Sequence, residues 1–170
     1  MDYSEAKKLV KARLSEKRWT HTKNVKKMAV KLARRWGTDP EKAAMAAILH
    51  DSAKELPKQE LLQIFADNAI IAENAPARPS PVWHGIAAAI LAETQWGITD
   101  PEILSAIRCH TTGKPGMSKL DKTGPFATHS SAALILWKKR AACWTLKASP
   151  LMSMQKHTLN KNTPQSREEM

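Results

Sequence analysis

The sequence predicts an all-α helical bundle, on three observations. Apolar residues recur at helical spacing through most of the first 121 positions. No stretch alternates apolar and polar residues as a half-buried strand would. The phrase Thr-Asp-Pro-Glu stands twice, at 38–41 and 99–102, each time opening a helix-period run.

Residues 4–15 form the first expected helix, with Ala6, Leu9, Val10 and Leu14 on one face. The second covers 19–36 and stops at Gly37, since glycine takes the left-handed conformation past a helix end without strain. The third starts at Pro40, whose missing N–H costs nothing at the first helical position, with Thr38 or Asp39 capping the orphan amides. It continues into "AAILHDSAKEL" at 46–56. A short helix is expected over 58–65. Pro76, Pro79 and Pro81 cannot lie inside a helix, so "NAPARPSPVW" at 74–83 is a loop. Helix resumes over 83–96, stopped at Gly97, and again from the second Thr-Asp-Pro-Glu to His110.

A chain of 170 residues suits one domain, and its 42% apolar and 25% charged residues are ordinary for a soluble protein. No apolar run reaches the ~18 residues that would span a membrane. The start, "MDYSEAKKLV", lacks a signal-peptide layout, and only Cys109 and Cys143 are present, far apart, so a reducing cytoplasm is expected. The formal charge of +11 attracts polyphosphates and nucleic acid without discriminating between them. Its basic residues are scattered along helix faces and no reader motif accompanies them, so nucleic acid is not the expected partner.

The helical period assigns a face to each histidine. His21 falls in a stripe with Val25, Met28 and Leu32; His50 with Ala43 and Ala46; His84 with Ala88 and Leu91; His110 with Ile103 and Ile107. Four helices thus each point a histidine inward. One such residue is ordinarily a core histidine satisfied by a carbonyl. Four together repel one another when protonated and leave acceptors unsatisfied when neutral, unless a cation or an anionic ligand sits among them. Asp51 adds hard oxygen and negative charge, completing a nitrogen and oxygen set suited to Fe, Mn, Co or Zn. Neighbours on a helix point about 100° apart, so His50 and Asp51 reach one ion only at a helix end.

This pattern resembles the HD-domain metal-dependent phosphohydrolases. "RWTHT" at 18–22, "AAILHDSAKEL" at 46–56, "HG" at 84–85 and "AIRCHTTGKPGMSKLDK" at 106–122 bring the chain closest to the YqeK-type hydrolases, which split diadenosine tetraphosphate symmetrically into two ADP. The resemblance covers residues 1 to about 127 and implies an HD-domain helical bundle. It implies His21, His50 and Asp51 as metal ligands, with iron the favoured occupant. His84 and His110 then lie near the substrate phosphates or help hold a second ion. Thr111, Thr112 and a free amide at Gly113 suit phosphate oxygens. Lys54 and Arg18 add positive charge beside the polyphosphate, and Lys54 and Asp51 are the candidate catalytic pair. No general base is assigned.

The resemblance breaks after residue 127. The family carries a further ligand Asp in an Ala-Asp pair there, whereas this chain reads "FATHSS" and has no Asp after Asp121. Loss of one G from GCG-GAC converts Phe-Ala-Asp into Phe-Ala-Thr, which stands at Phe126, Ala127 and Thr128. Residues 128–170 are accordingly read as an atypical tail, either divergent or translated out of frame, and His129 and His157 receive no role. Two other functions stay open from the sequence: another HD-type nucleotide phosphohydrolase, and a basic RNA- or ribosome-associated module without enzymatic activity.

Overall fold

A computed structural model describes residues 1–68 and 80–128, the last four as backbone alone. Among these residues there are seven α-helices and no strand: α1 (Tyr3–Arg13), α2 (Glu16–Trp36), α3 (Pro40–Leu49), α4 (Lys58–Asp67), α5 (Trp83–Thr94), α6 (Pro101–Cys109) and α7 (Lys119–Thr128). None is long and apolar enough to cross a membrane. The proline-rich loop expected at 74–83 lies mostly outside the described residues; its end, Ser80–Val82, is a single 3-10 turn leading into α5. Cys143, His129 and His157 also lie outside them.

The helix starts follow from their caps. Asp39 and Asp100 each accept two backbone amides of the following turn, with Pro40 and Pro101 just inside the helix. Gly37 closes α2 in the left-handed conformation, at φ 64°. α2 begins at Glu16, three residues earlier than its apolar stripe, because Ser15 caps it and Glu55 holds the Ser15 hydroxyl and amide at 2.7 Å each.

α2 packs on α3 and α7, α5 on α6, and α6 on both α3 and α7. The buried faces are rich in alanine, among them Ala29, Ala33, Ala43, Ala47, Ala87 and Ala106, which lets the helix backbones approach closely. α5 is buried all along Trp83–Ala92, the pattern of a central helix rather than a half-exposed one. Trp83 caps that core by meeting Phe65 of α4 edge-on at 5.9 Å.

The stripe expected on α2 is rotated. Its buried positions are Trp19, Thr22, Val25, Ala29 and Ala33, so Met28 lies on the flank, 43% exposed, and His21 is only half-buried. α7 has no counterpart in the sequence reading, since "KLDKTGPFAT" holds Gly124 and Pro125. Its start is fixed by a reciprocal cap: Ser118 N–H donates to Asp121 Oδ2 at 2.9 Å and Asp121 N–H donates to Ser118 Oγ at 3.0 Å. Asp121 is 1% exposed and also accepts Ser105 Oγ of α6 at 2.6 Å and pairs with Lys114 Nζ at 3.2 Å; Lys114 in turn bonds Ser105. One carboxylate therefore ties α6, the 111–118 loop and α7 together. Asp121→Ala is expected to lower unfolding free energy by about 2–3 kcal/mol, and Asp121→Asn by less, as measured by urea denaturation.

Candidate metal centre

Two of the site histidines stand where a helix stops. His50 caps the C-terminus of α3 and His110 that of α6, both with right-handed helical backbone angles. Beyond His50 the chain tightens into three-residue turns, Ser52 N–H to Leu49 O at 3.0 Å and Lys54 N–H to Asp51 O at 2.9 Å. That tightening swings Asp51 back toward the imidazole before it, placing Oδ2 3.3 Å from His50 Nε2.

The buried rings share one backbone device. His50 Nδ1 lies 2.7 Å from Ala47 O, His110 Nδ1 2.7 Å from Ile107 O, and His84 Nδ1 3.0 Å from Pro81 O, in each case the carbonyl three residues back. A carbonyl only accepts, so each Nδ1 so engaged carries a proton and Nε2 is the nitrogen left to present a lone pair to a metal; at His84 this makes the Lys54 ammonium, 3.3 Å from Nδ1, a close contact and not a hydrogen bond. All three Nε2 atoms face Asp51. His50 and His21 approach Oδ2 at 3.3 and 3.7 Å, while His84 and His110 approach Oδ1 at 3.3 and 3.7 Å. The rings of His50 and His110 meet edge-on with centroids 4.9 Å apart.

This arrangement is unbalanced without a cation. The Nε2 atoms of His84 and His110 are 3.1 Å apart with both Nδ1 protons already committed, and buried His50 Nε2 has no hydrogen-bond partner. Burial pushes His110 down to about 4, with the neighbouring His50 and His84 adding to it against the pull of Asp51. Burial alone would raise the Asp51 carboxyl; protons on the His110, His50 and His84 nitrogens facing it would hold it well below the usual carboxylate range, and a bound cation would take the place of those protons. A carboxylate ringed by imidazole nitrogens is a donor set for a divalent metal. The donors divide into two groups, each with its atoms within 4.8 Å of one another: His21, His50 and Asp51, and Asp51, His84 and His110.

The expected cations are both present. Arg18 Nη1 bonds Asp51 Oδ2 at 3.1 Å, and Lys54 Nζ lies 3.3 Å from His84 Nδ1, where burial lowers its pKa despite Asp51. The loop after His110 differs from expectation. The Gly113 amide is not free: it donates to Cys109 O at 2.7 Å, closing the last turn of α6 with Gly113 at φ 65°. Thr112 is exposed and its hydroxyl donates to Gly113 O at 3.0 Å, so of this trio only Thr111 keeps a buried hydroxyl without a partner. Thr22 and Ser52 hydroxyls are likewise buried and unpartnered. Sequence reasoning passed over both, although each directly follows a ligand candidate in "RWTHT" and "LHDS".

An imidazole held at about 4 in the folded chain takes its proton later, as pH falls, than the same group unfolded at about 6.5. Chelator-treated protein is therefore expected to lose stability progressively as pH drops from about 6.5 toward about 4. His21, lowered chiefly by burial, works in the same direction. Asp51 acts in a separate window, since its contribution is present above about 3.9 and fades only below that. Thermal melts across this range check the point; a melting temperature that stays flat would contradict it.

Comparison with known proteins agrees with this geometry. The HD domain family matches residues 18–158. The chain is similar to the symmetrical bis(5'-nucleosyl)-tetraphosphatase of Bacillus subtilis (strain 168), at 43% identity over 122 residues, 72% of this chain and 65% of that protein. It is 37% identical, over the same shares, to the symmetrical bis(5'-nucleosyl)-tetraphosphatase of Halalkalibacterium halodurans. The chain thus spans 65% of the length of each of these curated relatives. Among solved structures it is similar to a predicted HD superfamily hydrolase involved in NAD metabolism from Clostridium acetobutylicum, with TM-score 0.70 and 37% identity, covering 75% of this chain and 68% of that one. With its histidines and Asp51 gathered as they are and most of its length matched by the family, the chain belongs to the HD domain family.

Proposed function

We propose that this chain is a metal-dependent phosphohydrolase acting on bis(5'-nucleosyl) tetraphosphates, splitting diadenosine tetraphosphate and one water into two ADP. The observation that carries the reading is the convergence of three buried Nε2 lone pairs and half-buried His21 on the two oxygens of Asp51. The symmetrical tetraphosphatases among its relatives support the substrate class.

In this reading His21, His50 and Asp51 hold one divalent ion, iron in the first instance, and Asp51, His84 and His110 hold a second or face the phosphates. A bound ion supplies a water of lowered pKa and polarises a phosphoryl oxygen. The chain's own residues supply the rest. The i−3 carbonyl bonds keep the rings from rotating, so the Nε2 directions are set before any ligand arrives. Arg18 and Lys54 neutralise part of the tetraphosphate charge, and the Thr111 hydroxyl is free to donate to a phosphate oxygen. Water oxygen bonds one central phosphorus in line, the bridging P–O bond opposite breaks, and ADP departs with that oxygen.

Thr128 stands where the resemblance puts a ligand Asp, and the segment from 128 onward lies outside the described residues except for the backbone of Thr128 in α7. We propose that residues 128–170 are read out of frame and that activity is low as a result. The gene's nucleotide sequence around the Ala127 codon decides this: if no single-base restoration yields Ala-Asp followed by an acidic segment, the frame reading falls.

Purified chain loaded with Fe(II) or Mn(II) is expected to yield ADP as sole product from diadenosine tetraphosphate by ion-exchange chromatography. Equal amounts of AMP and ATP, or faster turnover of mononucleotides, would overturn the substrate reading. Asp51→Asn is expected to lower kcat/KM by about 100-fold or more, because it serves both donor groups. Thr128→Asp is expected to raise both metal content and turnover, with metal analysis as the independent readout.

A further inference from the structure

The pair His84–Gly85 enters the metal centre only through its histidine; the glycine next to it has its own geometry. Gly85 lies in the first turn of α5, in a helix buried along its whole apolar length. A Cβ placed on Gly85 would stand 3.1 Å from His110 Cε1, 3.2 Å from His110 Nδ1 and 3.4 Å from the carbonyl oxygen of Ile107. The last two are the atoms of the His110 Nδ1 to Ile107 O bond, 2.7 Å long, that aims the ring, and Cε1 is the ring carbon beside it. The ring has little room to yield. It is 3% exposed, meets His50 edge-on at 4.9 Å and has His84 Nε2 3.1 Å from its own Nε2.

We propose that Gly85 is a positioning residue of the metal centre: its missing side chain is the space in which the His110 ring sits, so that α5 and α6 bring His84 and His110 onto one oxygen of Asp51. The proposal rests on reading Asp51, His84 and His110 as one donor group, and its steric core can be tested apart from that reading. Any side chain at 85 presses on the hydrogen-bonded edge of the His110 ring and turns Nε2 away from Asp51.

A second glycine supplies the control. Gly124 of α7 also faces His110, but a Cβ there would meet His110 Cβ at 3.4 Å and Ala106 O at 3.6 Å, ordinary contacts, and Gly124 borders a cavity of about 10 Å³. Both positions are helical, and Gly124 also precedes Pro125, whose ring disfavours helix for a residue bearing a Cβ, so backbone preference alone would make Gly124→Ala the less favourable exchange.

The experiment uses the full chain, chelator-treated, as wild type, Gly85→Ala, Gly124→Ala, His110→Ala and the Gly85→Ala/His110→Ala double variant. Gly85→Ala is expected to shift the His110 Cε1–Hε1 resonance and weaken Mn(II) binding about tenfold, while Gly124→Ala leaves both near wild type. In the His110→Ala background the penalty of Gly85→Ala is expected to vanish, the double variant melting at or above His110→Ala alone. A wild-type resonance and Mn(II) affinity in Gly85→Ala would overturn the proposal, as would an equal loss of stability in both backgrounds. If Gly85→Ala alone does not fold, the double variant decides: folding supports the proposal, and failure to fold assigns Gly85 to backbone packing and overturns it. His110→Ala with unchanged Mn(II) affinity would remove the donor-group reading while leaving the steric cycle to give its own answer.

Discussion

The structure turns on one small interaction made three times: a histidine Nδ1–H given to the backbone carbonyl three residues earlier. At His50, His84 and His110 this bond satisfies a buried donor, fixes the tautomer and leaves the ring only one direction in which to present its other nitrogen. Each bond is local, made within a single turn, so the rings are aimed by secondary structure before tertiary packing brings them together. What packing must then supply is a common centre, and Asp51 provides it with an oxygen for each side.

Bringing those rings together demands close helices. Alanine lines the contacts of α2, α3, α5 and α6, and α5 is buried along nearly its whole length. Leucine at the same positions would hold the backbones farther apart and part the imidazoles. The apolar core therefore sets the separation of the ligands as well as the stability of the fold, and its small residues near the centre have a functional reason to be small. Away from the centre, Asp121 does the comparable work with polar groups, fastening the loop that follows His110 to α6 and α7.

Much of this was legible in the sequence. Asp39, Pro40, Asp100, Pro101 and Gly37 marked helix ends by chemistry that acts within one turn, and the structure uses them so. The inward faces of His50, His84 and His110 followed from period alone. What escaped depended on several interactions at once. α7 was hidden because Gly124 and Pro125 outweigh its short apolar pattern, while the Ser118–Asp121 cap that starts it is easily read as loop. Met28 was assigned to the core because a stripe of spacing four, three and four fits a helix as well as the true stripe one position on. The Gly113 amide looked free because sequence shows a glycine turn but not that its N–H is consumed closing α6.

The ends of three helices give the centre a polarity that no side chain accounts for. α3 and α6 finish at His50 and His110, so their last carbonyls direct partial negative charge inward. α5 begins beside His84, and the amides of its first turn carry partial positive charge. Helix ends of opposite partial charge, two C-terminal and one N-terminal, thus meet at one centre. A metal bound to a phosphate chain, the ligand class proposed above, carries the same two signs of charge.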